Sequence, residues 1–149
     1  MLNLSKHPRI IAAKVIATYH PLPDEPVVDI EREGKLILLP KVISDTEMEL
    51  RIFTSDGDLE RGAFGIMEPK GKPFYDYDAV DIIIVPGTQF DLSGGRRGRG
   101  KGYYDRFLPR LKNAYKIGVC FESQLVSQVQ MKAHDVYMDE VITVPLPIM

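Results

Sequence analysis

The sequence predicts an α/β fold in which a mostly parallel central sheet is flanked by helices. Short runs of apolar, β-branched residues, such as residues 81–85, alternate along the chain with segments of helical pattern. Prolines and glycines close these runs, as Pro86 and Gly87 do after residue 85. The chain has 149 residues, of which 44% are hydrophobic, and this is enough for one domain with a substantial core. Residues 1–149 are therefore predicted to form a single domain.

Three strands and two helices are predicted in the N-terminal half. The strands are expected at residues 15–19, 35–39 and 48–54, with Pro40 closing the second. The first helix is expected at residues 2–13, with a break near Pro8. The second helix is expected at residues 26–34, because proline suits a first helical turn and glycine a helix end. Residues 55–80 are predicted to be mostly loop, and long loops in compact domains are commonly functional or mobile.

The C-terminal half is predicted to contain three more strands and two more helices. The strands are expected at residues 81–85, 116–121 and 140–144. The helices are expected at residues 103–112 and 123–129, with Ser123 as the cap of the second. Strands that alternate with helices in this way are joined by right-handed crossovers, which makes the sheet mostly parallel.

The loop between residues 85 and 103 has the composition of an anion-binding loop. It interleaves five glycines with four cations, namely Gly94, Gly95, Gly98, Gly100 and Gly102 with Arg96, Arg97, Arg99 and Lys101. Glycines let the backbone approach a ligand and turn its N–H groups inward, and the start of a following helix adds partial positive charge. Polyphosphate is the expected ligand, while a solvated basic turn and a nucleic-acid patch are the alternatives.

From Gly95 the sequence reads GRRGRGKG, which matches the phosphate-loop pattern except at its last position. A Ser or Thr at that position would help to hold magnesium, and this chain has Gly102. Any metal must therefore be held by another residue. Asp105, on the first turn of the predicted helix, is the nearest carboxylate.

The composition limits the classes of partner. A formal net charge of −2 argues against general nucleic-acid binding, which needs an excess of cations. The single cysteine, Cys120, excludes an internal disulfide and is expected to be an inert core thiol. No apolar run approaches the length of a membrane span, and the N-terminus has no export pattern. We therefore expect a cytoplasmic protein without membrane contact.

Four further side chains are candidates by position, and each has an ordinary structural interpretation. Asp24 and Glu25 follow the first strand, at the edge where α/β sheets bind ligands, but their spacing favours capping of the helix at 26–34. Glu68 is expected to be a surface carboxylate. His134 is expected to be a hydrogen-bonded structural residue rather than a base.

Several segments together resemble the 5-formyltetrahydrofolate cyclo-ligase family, whose members are also called methenyltetrahydrofolate synthetases. The segments are YHPLPDEP, GKLILLP, IMEP, PGTQFDLSGGRRGRGKGYYDRFL, CFESQLV and HDVYMDEVIT, in this order over about 130 residues. The resemblance implies a Rossmann-like three-layer sandwich. It also implies conversion of the small-molecule substrate 5-formyltetrahydrofolate to 5,10-methenyltetrahydrofolate, with ATP and Mg²⁺ required and ADP and phosphate released.

The resemblance further implies roles for individual residues. Those assigned to ATP are Arg96, Arg97, Gly98, Arg99, Gly100, Lys101, Gly102, Tyr103 and Tyr104, and those from Arg99 to Tyr103 also line the folate side. Asp105 and Asp139 are implied magnesium ligands, in agreement with the argument from Gly102. Glu25 aligns with a substrate-binding carboxylate, which replaces its interpretation as a cap. His20 aligns with a position that contacts the pterin, near which the family usually carries an apolar or small residue.

In the mechanism that the resemblance implies, the formyl oxygen attacks the γ-phosphate, N10 attacks the iminium phosphate that results, and phosphate leaves. Charge moves mostly on phosphoryl oxygens, so positioning and electrostatic stabilisation are expected to dominate. Arg99 and Lys101 are the expected catalytic residues, because their cations can neutralise the transferring phosphoryl group.

One departure from the family concerns the N-terminus. Family members usually begin further upstream, with a helix whose lysine and arginine reach the ATP phosphates, and the segment MLNLSKHPRII supplies no such helix. The domain is therefore expected to lack it. The alternative function is a non-catalytic homologue that binds folate or nucleotide and has lost turnover with this segment. A monomer is expected.

Overall fold

The protein is described by a computed structural model that covers residues 1–55, 57, 59–61 and 67–146. The strands in chain order are β1 (Leu2–Asn3), β2 (Val15–Ala17), β3 (Val28–Asp29), β4 (Leu36–Val42), β5 (Met48–Phe53), β6 (Leu59–Arg61), β7 (Met67–Pro69), β8 (Pro73–Phe74), β9 (Ile82–Val85), β10 (Gln89–Phe90), β11 (Arg96–Arg97), β12 (Tyr115–Phe121) and β13 (Glu140–Val144). The α-helices are α1 (Pro8–Ala12) and α2 (Tyr103–Phe107).

Seven strands form one central sheet in the order β13-β12-β9-β2-β4-β5-β8. The first five strands of this order are parallel. At the other edge, β5 pairs antiparallel with β4, and β8 pairs antiparallel with β5. The remaining strands form three two-stranded pairs, β1 with β3, β6 with β7 and β10 with β11. The predicted α/β fold with a mostly parallel sheet is confirmed.

The core lies on both faces of this sheet. Side chains of successive strand residues point to opposite faces, so Ile82 and Ile84 join one buried cluster and Ile83 and Val85 the other. The first cluster is covered by α1, through the fully buried Ile10, and by the β1–β3 pair. The second cluster is covered by the segment that contains α2. Burial on both faces explains why these strands are continuously apolar rather than alternating.

Strand β4 continues through Pro40, so the prediction that this proline closes the strand is wrong. Pro40 pairs with Leu50 of β5. On the other side of β4, the ladder with β2 ends where Thr18 donates to the carbonyl of Leu38 at 2.9 Å. Beyond that point no strand among the described residues pairs with β4 on the side that the Pro40 nitrogen faces, so a missing N–H there costs no ladder hydrogen bond.

The first helix is shorter than predicted. Residues 2–3 are strand β1, which pairs with β3, and Pro8 begins α1 instead of interrupting a longer helix. This position suits proline, whose missing N–H would have no partner in a first turn. Lys35 closes the other end of α1, because its ammonium donates to the carbonyls of Ile10 at 2.7 Å and Ala13 at 2.6 Å.

The helix predicted at 103–112 is divided. Helix α2 ends at Phe107 and is followed by a 3-10 helix, Leu108–Arg110. Pro109 lies in this second part, where it cannot donate an α-helical hydrogen bond. In the described part of the chain, no helix is both long and apolar enough to cross a membrane.

Two predicted helices are wrong. In the range 26–34, Val28–Asp29 is strand β3, because its backbone pairs with β1. In the range 123–129, only the 3-10 helix Glu122–Gln124 forms. The backbone N–H groups of Val126 and Val129 bond to Phe90 and Asp91, so tertiary partners hold this segment extended.

The predicted loop region at 55–80 contains regular structure. Strands β6, β7 and β8 lie in it, together with the 3-10 helix Tyr77–Ala79. Residues 56, 58 and 62–66 of this region lie outside the described residues.

The strand order creates a crevice at one edge of the sheet. From β2 the chain proceeds to β4 on one side, and from β9 it proceeds to β12 on the other. The connections after β2 and β9 therefore leave in opposite directions at the carboxyl ends of two adjacent strands. In open α/β sheets, ligands bind at such a point.

Candidate functional site

An arginine side chain joins the two segments that border the crevice between β2 and β9. Arg99, in the glycine-rich loop after β9, donates through Nη2 to Asp24 Oδ1 at 2.6 Å and to Glu25 Oε2 at 3.2 Å. Both carboxylates belong to the segment after β2. The hydrogen bond to Asp24 is the main cause that raises the pKa of Arg99. The structure thus brings together three residues that the sequence placed at two separate strand ends.

Glu25 is a buried carboxylate rather than a helix cap. Its side chain is 5% exposed, and its Oε1 accepts a hydrogen bond from the backbone N–H of Leu22 at 2.9 Å. No helix follows at 26–34, so the capping role that spacing favoured is wrong for both Asp24 and Glu25. A buried carboxylate is costly without partners, and Arg99 and the Leu22 N–H together satisfy this one.

The end of β12 is joined to the same crevice. Gln124 accepts a hydrogen bond from the backbone N–H of Phe121 at 2.9 Å, and its amide nitrogen donates to the carbonyl of Asp24 at 3.3 Å. Three adjacent strands, β2, β9 and β12, therefore contribute their carboxyl ends to one site.

Left-handed backbone conformations surround Lys101 in the glycine-rich loop. Gly100 has φ of +98° and Gly102 has φ of +70°, values that L side chains rarely adopt. Lys101 between them is exposed. The glycines at these two positions are therefore needed for the path of the backbone, which presents the lysine on the surface of the loop.

The four cations among the residues assigned to ATP fall into two sets. Arg96 lies beneath the loop and is 7% exposed, with Nε donating to the Pro86 carbonyl at 2.8 Å and the guanidinium 4.9 Å from the centre of the Tyr104 ring. Burial lowers the pKa of Arg96 and raises the pKa of Tyr104. The exposed cations of the loop are Arg97, Arg99 and Lys101. Those three can meet a polyphosphate directly, whereas Arg96 supports the loop from below.

Asp91, which was not among the predicted site residues, fixes the base of the loop. It is 4% exposed, and its Oδ1 accepts from the N–H groups of Ser93 at 2.9 Å and Gly95 at 2.8 Å. Its Oδ2 accepts from the N–H of Val129 at 2.7 Å. These bonds lower the pKa of Asp91, that of Val129 most strongly. An aspartate two residues before a serine is typical of a turn closed by the side chain, and this signal was present in the sequence.

The far end of the loop is attached to the turn between β4 and β5. Tyr103 donates its hydroxyl to the Ser44 carbonyl at 3.1 Å. Arg106 donates through Nε to the Thr46 carbonyl at 2.7 Å and through Nη2 to the Lys101 carbonyl at 2.6 Å. No role was predicted for Arg106, because its partners lie about 60 residues away in the chain or on the backbone.

The two candidate metal ligands are attached to neighbouring parts of one segment. Asp105 Oδ1 accepts from the N–H of Val136 at 3.3 Å, three residues before Asp139. Asp139 Oδ2 accepts from the N–H of Lys116 at 2.8 Å and lies 3.7 Å from its ammonium. Among the described residues no cluster of three or more His, Cys, Asp or Glu side chains could hold a metal ion. Their role as magnesium ligands remains a prediction.

The other candidates differ in their surroundings. His20 is exposed just after β2, and its contact with a pterin remains a prediction. His134 is also exposed, with Nε2 3.5 Å from Asp135 Oδ1. Glu68 lies opposite Glu60 in the β6–β7 pair. Cys120 is fully buried, which confirms its predicted place in the core, and burial raises the pKa of its thiol to about 11.

Comparison with known proteins agrees with this architecture. A probable 5-formyltetrahydrofolate cyclo-ligase of Schizosaccharomyces pombe is 32% identical over 128 residues, and the match covers 75% of this chain and 63% of that protein. The 5-formyltetrahydrofolate cyclo-ligase of Mus musculus is 31% identical over 130 residues, and the match covers 78% of this chain and 64% of that protein. The chain thus spans a little under two thirds of the length of these two relatives.

Solved structures give the same result. An NMR structure of 5,10-methenyltetrahydrofolate synthetase from Aquifex aeolicus superposes with a TM-score of 0.76 at 37% identity, over 94% of this chain and 73% of that one. A 5,10-methenyltetrahydrofolate synthetase from Mycoplasma pneumoniae gives a TM-score of 0.69 at 27% identity, over 92% and 76% of the two chains. The model of one protein family matches residues 2–144. The chain therefore belongs to the 5-formyltetrahydrofolate cyclo-ligase family.

Proposed function

We propose that this protein converts 5-formyltetrahydrofolate to 5,10-methenyltetrahydrofolate and consumes ATP, with release of ADP and phosphate. The observation that carries the proposal is the contact of Arg99 with the buried Glu25, which joins the glycine-rich loop to the segment after β2. A loop of glycines and cations suits a polyphosphate. A buried carboxylate suits the N–H donors of a pterin ring. The crevice thus offers adjacent sites for two substrates, and the names of the relatives support the same reaction.

In this reaction the formyl oxygen attacks the γ-phosphorus of ATP, the bond to the bridging oxygen breaks, and ADP leaves. N10 then attacks the formyl carbon and gives up its proton, and the bond from that carbon to the phosphate oxygen breaks, so that phosphate leaves and the ring is complete. We assign Lys101 and Arg99 to the neutralisation of negative charge on the phosphoryl oxygens, because both are exposed cations of the loop. The backbone N–H groups of the loop act as additional fixed donors.

The remaining assignments follow from position. Arg97 and the backbone of residues 98–102 contact the other phosphates, while Arg96 and Tyr104 support the loop from below. We assign Tyr103 to a position between the two substrates. On the folate side, Glu25 receives hydrogen bonds from the pterin and His20 lies at its rim.

The proposed metal is Mg²⁺, held through the carboxylates of Asp105 and Asp139. Carboxylate oxygens are the hard donors that magnesium prefers. The hydrogen bond that Asp105 Oδ1 accepts from Val136 is long, at 3.3 Å, and among the described residues it is the one recorded for this carboxylate. Asp139 is held more firmly by Lys116. When bound, the ion supplies charge neutralisation for the phosphates. Cytoplasmic location and a monomeric state are further proposals.

The test is an assay of the 149-residue chain with 5-formyltetrahydrofolate, ATP and magnesium. The near-ultraviolet absorbance of methenyltetrahydrofolate reports the product. We expect product in the complete mixture and none when ATP is omitted, with a much lower rate when EDTA removes magnesium. Binding of ATP without product would contradict the enzymatic proposal and favour the non-catalytic alternative. Product formation in the presence of EDTA would contradict the assignment of magnesium.

A further inference from the structure

The backbone next to Lys101 has unusual freedom. Gly100 and Gly102 flank the lysine, and both are in left-handed conformations. A Cβ added at Gly100 would meet nothing within 4 Å, so no side chain of the described residues lies against the loop at that point. Because glycine has the widest backbone freedom of all residues, the position of the Lys101 ammonium depends on whatever else holds this peptide.

Arg106 makes the contact that limits this freedom. Its Nη2 donates to the Lys101 carbonyl at 2.6 Å. The same guanidinium donates through Nε to the Thr46 carbonyl at 2.7 Å, and it lies 5.6 Å from the centre of the Tyr103 ring. One planar group thus connects the loop to the β4–β5 turn. A lysine could not replace it fully, because an ammonium lacks the fixed fork that reaches two carbonyls.

Gly102 is required for this arrangement. A Cβ at this position would lie 2.9 Å from Arg106 Nη1, in addition to the strain of its left-handed φ. The guanidinium therefore lies directly against the peptide that follows Lys101. Gly102 is the last glycine of GRRGRGKG, where the phosphate-loop pattern has Ser or Thr. Both its left-handed φ and the close approach of Arg106 favour glycine at this position.

We propose that Arg106 is a positioning residue that holds Lys101 in place for phosphoryl transfer. The inference rests on the proposed function, since it assumes that the Lys101 ammonium acts on the phosphate. Arg106 itself need not touch either substrate, because the role proposed for it is carried by the two hydrogen bonds that Nε and Nη2 donate to protein carbonyls. Misplacement of a reacting group by about 1 Å can cost about 100-fold in rate.

The chain offers a matched control in Arg110. It follows Arg106 by one helical turn, is also exposed, and also contacts the β4–β5 turn, through Nη2 to Glu47 Oε2 at 3.0 Å. Its contacts do not include the glycine-rich loop in the described structure. We expect Arg106→Gln to lower kcat about 10- to 100-fold with a smaller change in KM for ATP. Arg110→Gln is expected to leave both within about twofold, since surface ion pairs contribute little.

Two further measurements separate a positioning role from a purely structural one. In a Lys101→Ala background, Arg106→Gln is expected to have little additional effect on kcat, because residues that act as a unit are non-additive. An equal loss in both backgrounds would overturn the proposal. Independently of turnover, the backbone N–H of residue 106, which donates to the Gly102 carbonyl at 3.1 Å, should lose protection from hydrogen exchange in Arg106→Gln and keep it in Arg110→Gln. Unchanged protection in Arg106→Gln would show that Arg106 does not hold the loop in place. An inactive wild-type chain would instead refute the proposed function.

Discussion

The carboxylate of Asp91 accepts three backbone hydrogen bonds at a buried position, and this makes the loop sensitive to acid. The bond from the Val129 N–H is the largest cause of its lowered pKa. A carboxyl group whose pKa is lower in the folded state stabilises the fold above the unfolded pKa, about 3.9 for Asp. That contribution is lost as the pH falls through the folded pKa. The Asp91 contribution should therefore be complete at pH 7 and disappear in strong acid.

We predict that Asp91→Asn lowers the free energy of unfolding at pH 7 by about 2–3 kcal/mol, because a hydrogen bond to a charged group contributes about 1.5–3 kcal/mol. Urea unfolding measures the difference from wild type at pH 7 and again near pH 3. The difference should shrink in acid, since the wild-type carboxyl is then becoming protonated as well. An equal difference at both pH values would show that the charge of Asp91 is unimportant.

Asp81→Asn is the control for location. Asp81 Oδ2 also accepts two backbone hydrogen bonds, from Lys14 at 2.9 Å and Val15 at 3.0 Å, but at the start of β2 and β9 rather than at the loop. Both variants should be less stable than wild type. Only Asp91→Asn should accelerate amide exchange at Gly95 and Val129.

At the scale of single residues, the sequence identified the exposed cations of the loop but not the residues that hold it. Glycine and arginine at short spacing are visible in a pattern. Asp91 and Arg106 are ordinary polar residues whose partners, Val129 and Thr46, are far away in the chain. Arg96 was grouped with the exposed cations because spacing cannot distinguish a side chain above a loop from one below it.

Strand β10 crosses the face of the sheet above β12, and a glycine makes this crossing possible. Gly118 lies in the middle of β12, paired with Val85 on one side and Val141 on the other. A Cβ there would lie 2.4 Å from Phe90 Cε1 and 3.0 Å from Met138 Cγ. The fully buried Phe90 thus packs directly against the β12 backbone and brings the start of the glycine-rich loop to the sheet.

We predict that Gly118→Ala destabilises the protein by about 1–3 kcal/mol, the usual cost of overpacking a core. Denaturant unfolding measures this loss. The double variant Gly118→Ala, Phe90→Leu should be more stable than the sum of the single changes predicts, by about 1 kcal/mol or more, because a smaller side chain relieves the clash. Strict additivity would mean that Phe90 does not confine Gly118.

Elements were predicted correctly where burial alone determines them. Strands β9 and β12 are apolar runs inside the sheet, and β13 is the half-buried edge strand beside β12. The predicted bounds of all three agree with the structure within one residue. The helices predicted at 26–34 and 123–129 failed because partners distant in the sequence provide the backbone hydrogen bonds of these segments. Helix propensity predicts structure poorly where a distant segment, such as β1 or the end of β10, accepts hydrogen bonds from the N–H groups that a helix would use.

At the scale of the whole molecule, the crevice exists only in the folded chain. Arg99 and Glu25 are separated by 74 positions in the sequence, and Gln124 and Asp24 by 100. A ligand that requires all of these segments binds the folded state and not the unfolded chain. Such a ligand stabilises the fold by an amount that depends on its concentration relative to Kd.

We predict that ATP with magnesium raises the thermal midpoint of the wild-type protein. At a concentration of 100 times Kd the stabilisation is about 2.7 kcal/mol. For a domain of this size that corresponds to a shift of about 5–10 °C. Differential scanning fluorimetry at increasing ATP concentrations measures the shift, and the size of the shift at each concentration gives Kd.

Variants then locate the binding site. Lys101→Ala removes a cation from the loop surface, so the shift at a fixed ATP concentration should fall to less than about half, while the midpoint without ATP stays close to wild type. Lys112→Ala is the control, because Lys112 is an exposed lysine that follows α2 and its 3-10 helix and lies outside the segments that border the crevice. It removes the same charge and should keep the full shift. An equal loss in both variants would mean that ATP is attracted by general charge, and the glycine-rich loop would not be its site.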